Sequence, residues 1–399
     1  MKILVAHNFY GSSAPSGENQ VVRDEVALLT RMNHDVQTFY KFSDTLLDKS
    51  IIGTILGAAS VPWNPFAAHE MKCTIESFRP AVVHSHNTFP LISPSIFSKI
   101  GSRSARVLTL HNYRLFCPAA IPMRNGRVCT ECIDAHTVVP ALNHGCYRNS
   151  RLATLPLAGG VELHRWLGTW NRHVDAFITL SEFQRDRLVR AGLPSSKVHV
   201  KPNFYPGHPL VKPWNCRSLQ VVFVGRLSAE KGLRTLIEAW ALWGKSAPYL
   251  RLIGDGPLRS ELQAQAAGLN VTFLGHLPPE QAQAEIACAQ MLVLPSECFE
   301  GFPMVIREAF ALGTPAAVSN LGPLPSIVQS GSNGVVFEAS NATSLLETLR
   351  AVWAQPDLLE KLGQGARLAF EAHYNEDANY QTLMEIYEHA MAENRRGNI

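Results

Sequence analysis

Two basic residues, Arg226 and Lys231, lie five positions apart in a segment that starts at Gly225 and ends at Gly232. An apolar run over 219–224 precedes this segment and a helical pattern follows it, so we expect it to join a strand to a helix. Two cations beside the free N–H groups of a helix N-terminus are suited to binding a diphosphate. A solvated loop with two ordinary surface charges would have the same residues, and the spacing does not separate these alternatives.

Two glutamates, Glu300 and Glu308, lie further along the chain, separated by seven residues. Pro303 favours the first turn of a helix, which places Glu300 in the preceding loop and Glu308 about one and a half turns into the helix. Gly301 and Phe302 would leave backbone N–H groups at the helix start. Each carboxylate can accept two hydrogen bonds from the vicinal hydroxyls of a sugar. A capping glutamate followed by a solvated one is the simpler alternative.

Four histidines lie near the ends of predicted strands: His7, His84, His86 and His111. A histidine in such a place is more often structural than catalytic. His111 is the strongest candidate, because it ends a clear apolar run and would face the edge where parallel sheets bind ligands.

The loop between Gly11 and Gly17 follows the first predicted strand. Its glycines would let the backbone approach a phosphate or an acceptor closely. It lacks the Gly-Lys-Ser/Thr ending of a P-loop, so it indicates a binding loop only weakly.

Half of the eight cysteines fall in one short stretch, namely Cys117, Cys129, Cys132 and Cys146. Four thiolates can close a tetrahedral structural zinc site. Free thiols and disulfides are the alternatives, and a reducing compartment disfavours the disulfides. His136 or His144 could replace one cysteine as a ligand.

The bulk composition excludes several classes of protein. The chain has 399 residues, of which 46% are hydrophobic and 17% charged, and its net charge is +3. This amount of apolar material suffices for two folded cores and excludes a disordered chain. The weak positive charge and the lack of any long basic run argue against nucleic acid as a partner.

Apolar stretches bear on the location of the protein. Neither the segment 51–61 nor the N-terminus is long and apolar enough for a membrane span or a signal peptide, so we expect a cytoplasmic protein. The segment 161–173 combines leucines and tryptophans with arginines. It is either a core helix or a helix at the inner face of the membrane, where it would serve a lipid-linked acceptor.

Short apolar runs alternate with amphipathic helical patterns along the whole chain, which predicts βαβ units and two doubly wound parallel sheets. A proline-rich connection after residue 201 separates the two halves. The predicted strands cover 2–6, 35–39, 81–84, 106–110, 176–180 and 198–201 in the first half, and 219–224, 249–253, 271–274, 291–294, 315–318 and 334–337 in the second.

We therefore predict an α/β protein with two Rossmann-like domains facing a central cleft. The first domain would cover 1–205, with the cysteine-bearing stretch as an insertion over about 114–151. The second would cover 206–374. A final helix in 375–399 follows.

These features together resemble the retaining glycosyltransferases of the GT-B fold, in the large group-1 class called family four. The resemblance extends over nearly the whole chain and is most specific in the second half. The matching segments there are Gly225-Arg226-Leu227 with Glu230-Lys231-Gly232, the turn Leu252-Ile253-Gly254-Asp255-Gly256-Pro257-Leu258, the strand Val271-Thr272-Phe273-Leu274-Gly275 and the pair Glu300 and Glu308.

The resemblance implies a role for each donor-side residue. Arg226 and Lys231 would stabilise the diphosphate leaving group. Glu300, with the N–H groups of Gly301 and Phe302, would hold the transferred sugar. Glu308 would bind the ribose hydroxyls, and the strand ending at Gly275 would lead to the contact with the nucleobase.

On the acceptor side, His111 would line the reacting centre, and Gly11 and Gly17 would handle the donor phosphate or the acceptor. Many relatives carry adjacent glycines in that loop, whereas this chain has Ser16-Gly17-Glu18. The last helix would pack back onto the first domain.

The implied reaction moves a sugar, with retention, from a UDP- or GDP-sugar to a saccharide or lipid-linked acceptor, most commonly in surface polysaccharide assembly. The chain has no pair of aspartates two residues apart, so we expect no cofactor or divalent cation in catalysis. The alternatives are a sugar-nucleotide epimerase and a non-catalytic sugar-nucleotide-binding protein. A nicotinamide dehydrogenase is disfavoured, because Arg259 stands where the third glycine of that fingerprint would be.

Overall fold

The structure is a computed structural model that describes residues 1–10, 17–46 and 57–396. It divides into two compact units. Unit 1 comprises Met1–Pro122, Thr130–Pro202 and Asn379–Ile399, and unit 2 comprises Met123–Cys129 and Asn203–Ala378. The chain therefore passes between the units at both ends of the segment Met123–Cys129, close to the proline-rich connection, and again inside its last helix.

Unit 1 contains a sheet of six parallel strands in the order β2-β1-β3-β4-β7-β8. Its central strands are apolar and buried along nearly their whole length, because helices cover both faces of a parallel sheet, while the edge strand Asp35–Phe42 is largely exposed. The strand order reverses direction between β1 and β3, which marks the topological switch point. The bounds are β1 Lys2–Phe9, β2 Asp35–Phe42, β3 Val82–Ser85, β4 Ala105–Leu110, β7 Ala176–Thr179 and β8 Val198–Val200.

The last helix supplies part of the core of unit 1. Leu383, Ile386 and Tyr387 are buried there beside Ile3 and Val107. The α-helices that contribute to this unit are Gly17–Arg31, Pro65–Phe78, Glu131–Asp134, Val139–His144, Arg151–Trp166, Thr169–Arg172, Glu182–Arg190 and Glu376–Arg396. Its 3-10 helices are Ser43–Leu46, Pro94–Lys99 and Ser195–Lys197.

Unit 2 contains a second sheet of six parallel strands, in the order β11-β10-β9-β12-β13-β14. Numbered within the unit, this is the order 3-2-1-4-5-6 of a dinucleotide-binding Rossmann sheet, with the switch point between β9 and β12. The bounds are β9 Gln220–Val224, β10 Tyr249–Ile253, β11 Val271–Gly275, β12 Met291–Leu294, β13 Ala316–Ser319 and β14 Gly334–Phe337. A small hairpin, β5 Met123–Arg124 with β6 Arg127–Val128, also belongs to unit 2.

Helices cover both faces of this sheet too, and Trp240 lies fully buried among them with its indole N–H donated to the carbonyl of Pro248 at 2.9 Å. The α-helices of unit 2 are Leu233–Trp243, Arg259–Gln265, Pro279–Cys288, Met304–Ala311, Leu324–Ile327, Ala342–Trp353 and Pro356–Ala369. Shorter helical segments are Trp214–Cys216, Ala229–Lys231, Gly244–Ser246 and Phe370–Tyr374.

The two doubly wound parallel sheets confirm the predicted fold class. Every predicted strand is present, and most strand boundaries agree within one or two residues, although β1 and β2 extend three residues further than predicted. Among the helices that the structure describes, none has both the length and the apolar composition needed to cross a membrane.

Candidate active site

The loops after β9 and β12 meet at the switch point of unit 2, and they bring together the residues that the sequence singled out. The ammonium of Lys231 donates to Glu300 Oε1 at 2.7 Å, and the hydroxyl of Ser296 donates to the same oxygen at 2.5 Å. Neither charged side chain is fully buried, with 23% of Lys231 and 12% of Glu300 exposed. A cation and a carboxylate thus lie side by side where a ligand of such a sheet binds.

Glycines explain how these two loops come so close. Gly232 has a φ of +67°, and a Cβ atom there would lie 1.8 Å from the carbonyl oxygen of Pro295. The N–H of Glu297 donates to the carbonyl of Glu230 at 2.9 Å, which joins the same two loops. Only glycine therefore permits the backbone contact that brings Lys231 to Glu300.

A second close approach supports the loop after β9 from its other side. Gly254 has a φ of +130°, and a Cβ atom there would lie 1.9 Å from the carbonyl oxygen of Gly225. The N–H of Leu227 donates to the carbonyl of Asp255 at 2.9 Å. The Gly254-Asp255-Gly256 turn therefore acts as a backbone support for the segment that carries Arg226.

The other predicted donor-side residues also lie around this edge of the second sheet. Arg226 is exposed, and Glu308 lies half-buried on the helix Met304–Ala311. Gly275 ends β11 with a φ of +72°. Gly301 lies in the bend before the helix, where the ring of the buried Phe302 packs 5.4 Å from that of Tyr374.

The charge state of Lys231 is set by its neighbours. Burial by itself would lower its pKa, but the carboxylate of Glu300, with smaller contributions from Cys298 and Glu230, raises it above its ordinary value. Lys231 is therefore a fixed positive charge at neutral pH. Such a charge is suited to the diphosphate end of a ligand.

Unit 1 contains a cavity, partly open to solvent, next to the ends of β3 and β4. Polar side chains of His86, Asn87, His111 and Arg114 line one part of it. Apolar residues of the helix Arg151–Trp166 contribute another part of its lining. His111, which sequence reasoning singled out, is half-buried and lies at this cavity.

Behind the cavity wall lies a buried polar network. Glu25 on the first helix has one carboxylate oxygen 2.9 Å from Lys201 Nζ. Its other oxygen is 3.0 Å from His84 Nδ1 and 3.2 Å from His86 Nε2. His86 Nδ1 lies 3.0 Å from His111 Nε2, so the network reaches the cavity.

Burial makes three imidazoles of unit 1 poor bases. Desolvation lowers the pKa of His86 to about 4 and that of His7 to about 3, and it holds the pKa of His111 well below its ordinary value. Burial would raise the pKa of Glu25, but Lys201, His84 and His86 together hold it well below its usual range. At neutral pH this region therefore combines an ionised carboxylate with uncharged rings at His7, His86 and His111.

The glycine loop of unit 1 is described only at its end. Gly11 lies outside the described residues, and Gly17 begins the first helix. Beside Gly17, burial raises the pKa of Glu18 to about 7, which the guanidinium of Arg114 partly offsets.

The four clustered cysteines differ in burial and in the unit to which they belong. Cys117 and Cys132 are buried in unit 1, Cys146 is half-buried in unit 1, and Cys129 ends the segment assigned to unit 2. Burial raises the pKa of Cys117 to about 12, and the nearby thiols of Cys132 and Cys146 add to this rise. Among the described residues, the side chains close enough together to hold a metal ion are Glu25, His84 and His86 rather than these thiols, and the zinc site stays a prediction.

Sequence reasoning missed Glu25, Lys201 and Ser296. Glu25 lies on the buried face of a helix whose other buried residues are apolar, and a charge at such a position was the available signal. Nothing in the sequence links Lys201 to Glu25, since 176 positions separate them.

Two family models match the chain, one after the other. The model described as "Glycosyltransferase Family 4" matches residues 15–206, and the model described as "Glycosyl transferases group 1" matches residues 211–369. Together they account for both units. The chain is also 33% identical over 160 residues to the D-rhamnosyltransferase WbpZ of Pseudomonas aeruginosa, a match that covers 39% of this chain and 40% of that protein.

Solved structures show the same fold across almost the whole chain. Sucrose-phosphate synthase from Thermosynechococcus elongatus superposes with a TM-score of 0.69 at 17% identity, over 98% of this chain and 99% of that one. Anabaena HepE in complex with UDP-glucose superposes with a TM-score of 0.63 at 18% identity, over 97% and 100%. With two matching family models and this shared architecture, the chain belongs to the group-1 glycosyltransferases, which have the GT-B fold.

Proposed function

We propose that this protein transfers a sugar from a nucleotide-diphosphate sugar to a saccharide or lipid-linked acceptor. The observation that carries the proposal is the contact of 2.7 Å between Lys231 and Glu300 at the switch point of unit 2. A cation suited to a diphosphate stands there beside a carboxylate suited to sugar hydroxyls.

The proposed donor is a UDP- or GDP-sugar. Lys231 and Arg226 would contact the diphosphate, Glu300 with the N–H groups of Gly301 and Phe302 would hold the sugar, and Glu308 would bind the ribose. Support comes from HepE, whose structure of the same fold contains UDP-glucose.

The proposed chemistry depends on fixed positive charge rather than on a metal ion. As the bond between sugar and phosphate lengthens, negative charge builds on the leaving diphosphate, and a preorganised cation stabilises it most in the transition state. Lys231 is held in its charged form by Glu300. We propose retention of the anomeric configuration and expect EDTA to leave turnover unchanged.

We propose that the acceptor is bound from the side of unit 1. The cavity beside His111 has a polar part, suited to hydroxyl groups, and an apolar part formed by the helix Arg151–Trp166. The outer face of that helix is apolar as well, with Leu152 and Trp166 each 82% exposed. Its exposed neighbours Arg148 and Arg151 would favour an anionic surface, as expected of a helix that lies on a membrane.

The setting that we propose is surface polysaccharide assembly at the cytoplasmic face of the membrane. Support comes from relatives whose names refer to such polymers, in particular the amylovoran glycosyltransferase AmsK and the teichuronic acid glycosyltransferase TuaC.

A thermal-shift screen of nucleotide sugars, followed by a donor-hydrolysis assay, tests the proposal. A ligand that binds only the folded chain raises its melting temperature, so one nucleotide sugar should stabilise the protein more than its free nucleotide does. The same compound should be slowly hydrolysed, with NMR of the released sugar showing retention. Binding without hydrolysis or transfer would indicate a non-catalytic binding protein, and a changed sugar on the nucleotide would indicate an epimerase.

We further propose that the clustered cysteines bind a structural zinc ion. Elemental analysis of the purified chain should then show one zinc per molecule, and Cys132→Ser should lower that content. A metal-free protein that is stably folded would exclude the zinc site and would leave the proposed transfer reaction unaffected.

A further inference from the structure

We propose that Glu25 and His86 are positioning residues that hold His111 as the neutral tautomer protonated on Nε2, so that Nδ1 keeps a lone pair available to a hydroxyl group of a bound ligand. The three side chains form a chain of contacts from the interior of unit 1 to the cavity, over distances of 3.2 and 3.0 Å. The inference deepens the proposed function, because it assigns a chemical state to the residue at the acceptor cavity.

The chain of contacts begins at a charge that is fixed in place. Glu25 is 1% exposed, and one of its oxygens is 2.9 Å from the buried ammonium of Lys201. Lys201 is in turn held by the side-chain oxygen of Asn379 at 3.1 Å. The carboxylate is thus anchored and ionised, and it can only accept hydrogen bonds.

An acceptor-only oxygen determines which nitrogen of His86 carries the proton. His86 Nε2 faces Glu25 Oε1 at 3.2 Å, and His84 Nδ1 lies 3.0 Å from the same oxygen. A lone pair on Nε2 would face the negative oxygen in a buried site, which is costly. The proton therefore lies on Nε2, and since this ring is uncharged, its Nδ1 is an acceptor.

The same reasoning then determines which nitrogen of His111 carries the proton. An acceptor nitrogen of His86 lies 3.0 Å from His111 Nε2, so His111 must donate from Nε2. His111 is uncharged as well, which leaves Nδ1 without a proton. The ring nitrogen that His86 does not contact is then a hydrogen-bond acceptor at a cavity that binds hydroxyl-bearing ligands in the proposed reaction.

The other groups around this chain of contacts are consistent with the assignment. His84 Nδ1 also lies 3.0 Å from Glu25 Oε1, and the hydroxyl of Thr109 lies 2.7 Å from the opposite nitrogen of His84. The hydroxyl of Tyr387 is 2.8 Å from His84 Nδ1. The ring of His7 lies 6.3 Å from that of His86 and is uncharged.

A metal ion is the competing explanation for this cluster. Glu25, His84 and His86 offer three ligand atoms within 4.8 Å of one another. A divalent cation there would lie next to the ammonium of Lys201 among buried side chains, where uncompensated charge is strongly unfavourable. Lys201 already supplies the positive charge that the carboxylate needs.

The proton positions can be read by imidazole ¹⁵N NMR of the full chain without ligand, with the signals of His111 identified by their loss in His111→Gln. We expect wild type at pH 7 to show a proton on Nε2 and none on Nδ1. His86→Asn keeps an oxygen close to the position of Nδ1 and should preserve this tautomer. His86→Leu removes the acceptor, and Glu25→Gln removes the fixed charge, so both should give a mixture of tautomers.

Activity supplies the second readout. We expect His86→Leu to lower kcat by about tenfold to a hundredfold, as the loss of an outer-shell partner does in metal sites, and to leave KM for the donor unchanged. His86→Asn should retain kcat within about threefold, since a hydrogen bond to the ring is kept.

The matched control is Asp175→Asn, which removes a buried carboxylate 2.7 Å from Arg106 at the opposite edge of the same sheet. It should lower stability and leave the His111 tautomer unchanged.

Three results would overturn the inference: a proton on Nδ1 of His111 in wild type, an unchanged spectrum in His86→Leu, or stoichiometric metal that disappears in Glu25→Gln. The proposed function would fail on a different measurement. In that case no nucleotide sugar would be turned over, while the His111 tautomer would still respond to His86→Leu.

Discussion

The two units use the same kind of sheet and place functional side chains at the same edge, but the electrostatics of the two edges are opposite. In unit 2 the edge carries charges that solvent can reach, with Lys231 against Glu300 and Arg226 exposed. In unit 1 the charges of Glu25 and Lys201 are buried behind uncharged imidazoles, and His86 and His111 of this network line the cavity.

This difference matches the two kinds of ligand in the proposed reaction. A nucleotide sugar brings two phosphates, so its site needs permanent positive charge. An acceptor brings hydroxyl groups, for which neutral donors and acceptors in fixed orientation suffice. The comparison indicates that the difference in ligand chemistry resides in the loops at the strand ends rather than in the sheets themselves.

The largest expected effect comes from removing the charge of unit 2. Lys231→Ala should lower turnover by about 10²–10³, the loss typical of one preorganised transition-state contact. The cation would be lost from the diphosphate, and Glu300 would lose its partner at 2.7 Å. Steady-state kinetics check this, with the exposed Lys245→Ala as control. Equal loss in both variants would show that general charge, rather than position, matters.

The next largest effect is expected from substituting a glycine in unit 2, because glycines there allow the backbones of neighbouring loops to touch. Gly254→Ala would place a Cβ atom 1.9 Å from the carbonyl of Gly225. It should lower the free energy of unfolding by about 3 kcal/mol, as overpacking does. Gly192, with a φ of +113° and open space around its Cβ position, is the matched control.

Gly192→Ala should cost only about 1 kcal/mol, from backbone strain alone. Urea denaturation of both variants gives the comparison. Equal costs would mean that the close approach at Gly254 contributes nothing beyond its φ angle.

Because of the buried imidazoles, we expect unit 1 to lose stability at acid pH before unit 2 does. The pKa values of His7 and His86 lie at about 3 and about 4 in the folded chain, against 6.5 in the unfolded chain. Between pH 6.5 and 4 the unfolded state binds more protons, so the unfolding free energy of unit 1 should decrease as the pH is lowered, by on the order of 3 kcal/mol for each ring. Hydrogen exchange read by mass spectrometry separates the units, and His86→Asn should flatten the slope. An earlier loss of protection in unit 2 would contradict this.

The smallest effect concerns the outer face of the helix Arg151–Trp166. Trp166→Ala should weaken binding to anionic phospholipid vesicles about fivefold, since partial burial of one large apolar side chain contributes roughly 1 kcal/mol. Leu368 in unit 2 is 65% exposed and serves as the control. Flotation assays in which both substitutions act alike would argue against a specific membrane face.

Regular patterns made the fold predictable from the sequence. Strands buried on both faces read as apolar runs, and glycines with turn residues separate them, which is why β10, β12 and β14 have the predicted bounds. Arg226 and Gly275 were singled out for a related reason, because both lie at or next to a strand end, and their part in donor binding stays a prediction.

The buried polar network behind the cavity of unit 1 could not be predicted from the sequence, because its contacts join residues that lie far apart along the chain. Glu25 reaches Lys201 over 176 positions, and His84 reaches Tyr387 over 303. A single sequence carries no record of such pairs. Its one local signal was a charged residue on the buried face of a helix, where the helical period predicts an apolar one.

Calorimetric titration of UDP- and GDP-sugars into wild type and Lys231→Ala tests the central claim most directly. The account predicts that one nucleotide sugar binds wild type, and that Lys231→Ala weakens its binding while the Lys245→Ala control does not. Unchanged donor affinity in Lys231→Ala, in a folded protein, would contradict the assignment of the donor site to this edge of unit 2.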